Sequence, residues 1–206
     1  MGKVVVDMSM SVDGFIAGPN DNSEQPLGVG GSILHNWLFD GPAVSKHNDF
    51  FQLSNKESRD VFDESFDNEG AIVVGRRTYD IVDGWGGSHP NHGTPVFVLT
   101  HHIPAQVHKG STPFTFVTEG IESAIQQAKA AAGDKNVGVA GASTAQQCIK
   151  AGLVDEIHIQ LVPVLLGSGT RYFDHIGMKQ IQLEKTRVID SQGVTHLTFR
   201  VIKETE

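Results

Sequence analysis

The chain has 206 residues, 39% hydrophobic and 19% charged, an ordinary globular balance for one domain that buries roughly 70% of its unfolded surface. Lys and Arg number 16 against 24 Asp and Glu, and the net charge of −8 excludes general binding to nucleic acid or to an anionic membrane, though not a local cationic pocket. Cys148 is the only cysteine, which excludes an intrachain disulfide and a cysteine-based metal site.

The N-terminus, MGKVVVDMSMS, lacks the basic, apolar, small-residue order of a signal peptide. No apolar run approaches the ~20 residues of a membrane span. A cytoplasmic protein is expected. Lys3 to Met10 is rich in β-formers, apolar on both faces in its first half, and reads as a central strand. Ser11-Val-Asp-Gly14 breaks it with a turn, and Phe15 to Ala17 resumes it. Pro19 to Pro42 is long and polar, and loops beyond ~12–15 residues are usually functional or disordered. Its Trp37, Leu38 and Phe39 predict that it folds back over something apolar. Gly28-Val-Gly-Gly31 looks like a phosphate loop, but no strand precedes it.

Lys56 to Asp67 has helical spacing, with Val61, Phe62, Ser65 and Phe66 on one face and acids on the other. Ala71 to Gly75 is a buried strand, and Arg76 to Tyr79 opens a helix that ends near Gly84. Pro95 to Thr100 and Phe114 to Val117 are further strands. Glu119 to Ala132 is an amphipathic helix in which Ile121, Ala124, Ile125, Ala128 and Ala132 recur at helical spacing. Val137 to Ala140 is a short strand, and Gly141-Ala142 lets the backbone turn into a short helix. Ser143 and Gln146 have the spacing of a capping box, and Gly152 is the expected stop. Cys148 on this helix reads as a small buried apolar residue. Asp155 to Pro163 and Tyr172-Phe173 are strands. Gln180–Asp190 and Val194–Lys203, joined at Ser191-Gln-Gly193, form a β-hairpin.

Alternating strands and helices predict an α/β fold over residues 1–206. Its central, mostly parallel sheet is flanked by helices on both faces, and the C-terminal hairpin adds antiparallel edge strands. Ligands of such sheets sit at the carboxyl ends of strands. Two of those ends suit anions. Gly75-Arg76-Arg77-Thr78 offers two guanidinium forks and a hydroxyl at a helix start. The Gly141–Thr144 turn aims free N–H groups at one point. Adjacent arginines on a helix diverge by about 100°, so one at most faces a given phosphate, and the other reading of each is a surface ion pair. Thr100-His101-His102 can bond a ribose or a phosphate. Adjacent histidines on extended chain point to opposite faces, so no metal site is expected.

The strings VVDMSMSVDGFIAG, AIVVGRRTYD, TPVFVLTHH, GIESAIQQAKAAAG, VGVAGAST and LVPVLLGSGTRYF, in this order, resemble the dihydrofolate reductase-like superfamily. The closest branch is the reductase domain of bacterial riboflavin biosynthesis. The resemblance spans Lys3 to the last hairpin. It implies an NADPH-dependent reductase of a small pterin-, pyrimidine- or ribose-like substrate, acting on a C=N or C=O bond. It assigns Gly75, Arg76, Arg77 and Thr78 to the pyrophosphate and 2′-phosphate side, and Thr100, His101 and His102 to the adenosine. Gly141, Ala142, Ser143 and Thr144 fall to the pyrophosphate, and Ile16, Ala17 and Gly18 to the mobile loop over the nicotinamide. Pro163, Leu166, Gly167 and Ser168 fall on the substrate wall, with Thr170 beside them as a hydrogen-bonder. A homodimer is implied too.

Two departures follow from the same resemblance. Ala142 stands where the family has the second glycine of a pair whose peptide is often cis. A non-proline cis bond costs about 2.5–4 kcal/mol, and the extra Cβ leaves cis or trans open. The acid of true folate reductases has no secure counterpart. Asp60 and Asp49 lie in the corresponding region, but the common reading of Asp60 is a solvated helix face, which argues against dihydrofolate as the substrate. Asp13 either touches substrate or holds its turn. The deaminase zinc motif, H-x-E with P-C-x-x-C, is missing from the sequence, so a bifunctional deaminase–reductase is not expected. The alternatives are a general carbonyl or xenobiotic reductase on the same cofactor site, and a nucleotide-binding module without catalysis.

Overall fold

Val4, Val5 and Val6 are all buried although neighbours on a strand face opposite ways, so the first strand is covered on both faces. In the computed structural model, which describes residues 2–177 and 180–203, this strand lies inside an eight-stranded sheet. The strands are β1 (Val4–Ser11), β2 (Phe15–Ala17), β3 (Ala43–Val44), β4 (Gln52–Leu53), β5 (Glu69–Gly75), β6 (Val96–Leu99), β7 (Phe114–Val117), β8 (Asn136–Ala140), β9 (Glu156–Val162), β10 (Thr170–Arg171), β11 (Leu183–Ser191) and β12 (Val194–Val201). The helices are α1 (Lys56–Asn68), α2 (Arg76–Ile81), α3 (Ile121–Ala132) and α4 (Ala142–Lys150), with 3-10 segments at Gly31–Leu38 and Asp83–Gly87.

The sheet order is β11-β12-β9-β1-β8-β5-β6-β7. From β9 to β7 every neighbouring pair is parallel, and β12 and β11 close one edge antiparallel. On one face Val4, Val6, Val73, Val137 and Ile157 pack against Ile121, Ala124 and Ile125 of α3 and Ala145, Cys148 and Ile149 of α4. On the other, Tyr79 of α2 covers Ile72, Val74, Val96 and Val98. Beside it, Leu34, Trp37 and Leu38 join Phe51, Leu53 and Phe62 in a separate apolar cluster. The long loop therefore does fold back, on a 3-10 segment whose apolar residues recur at i, i+3 and i+4. Phe39 stays on the rim, stacked on Phe51 at 5.9 Å.

Several expectations are corrected. The capping box does not form, because Gly141 turns the chain at φ 86 and the helix starts at Ala142. Ser143 then falls inside the first turn, and the Gln146 amide donates instead to the carbonyls of Arg171 and Tyr172. No peptide among the described residues is cis, so Gly141–Ala142 is trans. The short strand expected at Tyr172-Phe173 forms at Thr170–Arg171, antiparallel to β2. On α1, Asp63 is buried rather than solvated, and its carboxylate accepts from Ser45 Oγ at 2.5 Å. The Gly28–Gly31 run permits close backbone contact rather than forming a phosphate loop: a Cβ on Gly28 would lie 2.2 Å from the Gly18 carbonyl oxygen. No helix among the described residues is long and apolar enough to cross a membrane.

Candidate active site

Because β1, β5, β6 and β8 run parallel, their carboxyl ends open on one side of the sheet. There they border a cleft of about 840 Å³. It gathers Ile16 and Ala17 from β2, Gly75 to Thr78 from the β5–α2 junction, Thr100 to His102 after β6, and Gly141 to Thr144 from the β8–α4 junction. Gly18 is the one residue of the expected cofactor set outside the lining. Its N–H donates to the Leu27 carbonyl at 2.8 Å, beneath the long loop.

The two helix starts nearly touch. A Cβ on Gly75 would sit 2.8 Å from Thr144 Oγ1, and one on Gly141 would sit 2.6 Å from Thr78 Oγ1. Each glycine thus makes room for the threonine of the opposite junction, and the four residues form a tight cradle between the strand ends.

The adjacent arginines diverge as helix geometry requires. Arg76 donates through Nε to Asp80 Oδ1 at 2.7 Å and through Nη1 to the His102 carbonyl at 3.0 Å. Arg77 points the other way, and its Nη2 meets Asp21 Oδ1 at 2.8 Å and the Asp21 carbonyl at 3.0 Å. Thr100 is buried, and its hydroxyl closes the turn by accepting from the His102 N–H and donating to the His102 carbonyl. His101 and His102 are exposed at the cleft rim.

The expected catalytic and substrate residues lie elsewhere. Asp13 does not line the cleft. Its Oδ1 accepts from Ser11 Oγ at 2.6 Å and the Leu166 N–H at 3.1 Å, and its Oδ2 from the Gly167 N–H at 2.7 Å. The Ser11 hydroxyl, helped by these amides, lowers its pKa to about 2, so it carries no proton at neutral pH. It is a staple between two loops. Pro163, Leu166, Gly167 and Ser168 do not line the cleft either, and the residues of that segment that line it are Thr170 and Arg171. Asp60 projects from α1 into an ion pair with Lys56 and Arg59, away from the cleft.

Other lining residues escaped the sequence reading, notably Asp21, His35, Gln146 and Arg171. His35 is half-buried, its Nδ1 is buried without a hydrogen-bond partner among the described residues, and burial lowers its pKa to about 4. Its signal was the apolar i, i+3, i+4 spacing of Leu34, Trp37 and Leu38, which marks residues 31–38 as a turn of helix.

Residues 2–195 match the profile of the RibD C-terminal domain. The chain belongs to the RibD C-terminal domain family. Among curated proteins it is similar to YwjB of Bacillus subtilis (strain 168), 26% identical over 177 residues and 84% of each chain. YyaP of the same strain is 23% identical over 210 residues, covering 96% of this chain and 94% of YyaP. Among solved structures, a Shewanella sp. PV-4 protein named for riboflavin biosynthesis superposes with TM-score 0.71 at 22% identity, over 98% of this chain and 99% of that one. The dihydrofolate reductase of Enterococcus faecalis, complexed with NADP(H), gives 0.56 at 13% identity over 98% of each. The Thermotoga maritima diaminohydroxyphosphoribosylaminopyrimidine deaminase/5-amino-6-(5-phosphoribosylamino)uracil reductase gives 0.63 at 11% identity. There the alignment covers 98% of this chain and 57% of the other. The fold is dihydrofolate reductase-like, and the RibD C-terminal domain is a reductase-like domain.

Proposed function

We propose that the protein is an NADPH-dependent oxidoreductase that reduces a C=N or C=O bond of a small pterin-, pyrimidine- or ribose-like substrate. The observation that carries this reading is the cradle at Gly75, Thr78, Gly141 and Thr144, flanked by Arg76 and Arg77 in one cleft. Its close backbones, hydroxyls and guanidinium groups fit the phosphates of a dinucleotide. Arg76 reaches toward His102 and so serves the 2′-phosphate, with Thr100, His101 and His102 around the adenosine. Gly75, Thr78 and residues 141–144 hold the pyrophosphate. Ile16 and Ala17 are apolar and buried, and exclude water beside the nicotinamide. When bound, NADPH supplies the hydride, and the protein supplies position and charge stabilisation.

Titration with NADPH and NADH, followed by nicotinamide fluorescence, tests the reading. Micromolar NADPH binding, weaker NADH binding, and loss of that preference in Arg76→Ala are expected. No binding of either dinucleotide refutes it. A nucleotide-binding module is the second reading, favoured by the placing of Asp13 and Asp60 outside the cleft. Such a module binds NADPH but oxidises it with no acceptor in a screen of pterins, pyrimidine ribosides and dicarbonyls. A cytoplasmic homodimer belongs to the first reading, and sedimentation velocity showing only monomer would remove the dimer from it.

A further inference from the structure

The cleft runs from the cradle to β2. The cradle and Arg76 make one end. At the other, the 3-10 segment Gly31–Leu38 closes on β2, so tightly that a Cβ on Gly31 would lie 2.7 Å from the Gly18 nitrogen. Leu34 and Trp37 anchor this segment in the apolar cluster, and Trp37 Nε1 donates to Ser9 Oγ at 3.0 Å. His35 sits between these anchors and lines the cleft.

The charged side chains that line the cleft are largely engaged. Arg77 holds Asp21, Arg76 holds Asp80, and Asp174 faces His175 at 3.7 Å. Arg171 bonds the Asp13 carbonyl and lies 4.5 Å over the Phe15 ring. His35 differs, because its Nδ1 is buried with no partner among the described residues, which is costly for a polar atom. Burial also keeps the ring neutral at pH 7. A neutral imidazole has no positive charge to attract a phosphate. It has one donor and one acceptor, the complement of a neutral group that offers both.

We propose that His35 is a ligand-contacting residue that hydrogen-bonds an amide group, O=C–N–H, bound at the Ile16–Ala17 end of the cleft. The proposal rests on the reductase reading of that cleft. Two ligands supply such a group there: the nicotinamide carboxamide of the dinucleotide, and the lactam of a pyrimidine- or pterin-like substrate. The second histidine torsion is broad, so the ring can turn Nδ1 toward an arriving ligand.

The test uses full-length protein carrying ¹⁵N-histidine, with the His35 ring signals assigned by their loss in His35→Gln. Three probes follow: 2′,5′-ADP, which carries only the charged half of the cofactor; NADPH; and uracil added to protein saturated with NADP⁺. The expected result is that 2′,5′-ADP leaves the His35 signals in place while NADPH or uracil moves them. Movement by NADPH identifies the carboxamide as the source, and movement by uracil alone the lactam. His35→Phe then weakens the active probe about five- to tenfold and leaves 2′,5′-ADP affinity unchanged. Binding of NADPH and 2′,5′-ADP with the His35 signals unmoved by NADPH and uracil overturns this inference and spares the reductase reading. Movement as large with 2′,5′-ADP as with NADPH overturns it too. No binding of NADPH or 2′,5′-ADP removes the reductase reading and this inference together.

Discussion

Placing a methyl group on Gly141 attacks the cradle from within. The residue holds φ 86, ψ 143, a conformation that costs an L side chain about 1–3 kcal/mol. The new Cβ would also lie 2.6 Å from Thr78 Oγ1, and forcing such a contact apart costs about 1–3 kcal/mol more. Gly141→Ala should therefore lose about 2–6 kcal/mol, or roughly 4–24 °C in melting temperature for a chain of this size. Gly75→Ala separates the two causes. Gly75 sits at an ordinary φ of −80, so only the 2.8 Å approach to Thr144 Oγ1 acts, and the loss should be about half as large. Thr78→Ala in the Gly141→Ala background should recover the steric part and leave the backbone part. Thermal melts read the stability and NADPH titration reads the cradle, with both single variants binding more weakly. A Gly141→Ala protein that melts and binds like wild type would refute the close approach of the two helix starts.

Asp21→Asn breaks the ion pair with Arg77 and removes a negative charge from the cleft, so NADPH and NADH should both bind about two- to fivefold tighter. Weaker binding in the titration would show that the loop contact matters more than the charge. Burial, with some help from Asp7 and against the hydrogen bond from Asn91, raises the Glu69 carboxyl from 4.5 to about 7. Between these values the folded protein keeps a proton that the unfolded chain has released, so stability falls as pH rises through the window and levels off above it. The loss is about 3 kcal/mol, and Glu69→Gln should remove it in urea titrations at pH 5 and pH 8. Equal slopes in both proteins would contradict the assignment. Burial, with the Glu122 charge second, pushes the Cys148 thiol up to about 12. Iodoacetamide should label it in urea and leave the native protein unlabelled at pH 8, and rapid native labelling would refute its burial.

The strands and α3 were legible because their information is local. Ala71 to Gly75 and Val96 to Leu99 are apolar runs of strand length, and α3 repeats its alanines and isoleucines at helical spacing. The cradle was legible for a related reason: glycine followed by a helix start marks a strand end, whichever strand lies beside it. Asp13 was ambiguous because its partners, Leu166 and Gly167, come 153 and 154 residues later. Nothing near Asp13 says that those amides will reach it. His35 and Asp21 were missed because the long loop owes its shape to tertiary contacts, Trp37 on Ser9 and Arg77 on Asp21. Capping at Ser143 failed for a local reason that residue type alone leaves open, the left-handed turn at Gly141.

The position of β1 bears on how the protein is made. It leaves the ribosome well before either neighbour: Val4 pairs with Val137, and Val5 with Glu156. Through most of synthesis this apolar strand has neither hydrogen-bonding edge covered. Pairings so distant in sequence are slow to form, and an unpaired strand is open to association with other chains. The cleft wall comes later still, since it needs Thr170 and Arg171 on β2 and the staple at Asp13. A nascent chain halted before residue 156 should thus be a client for holding chaperones, and competence to bind ligand arrives only after Arg171 is added.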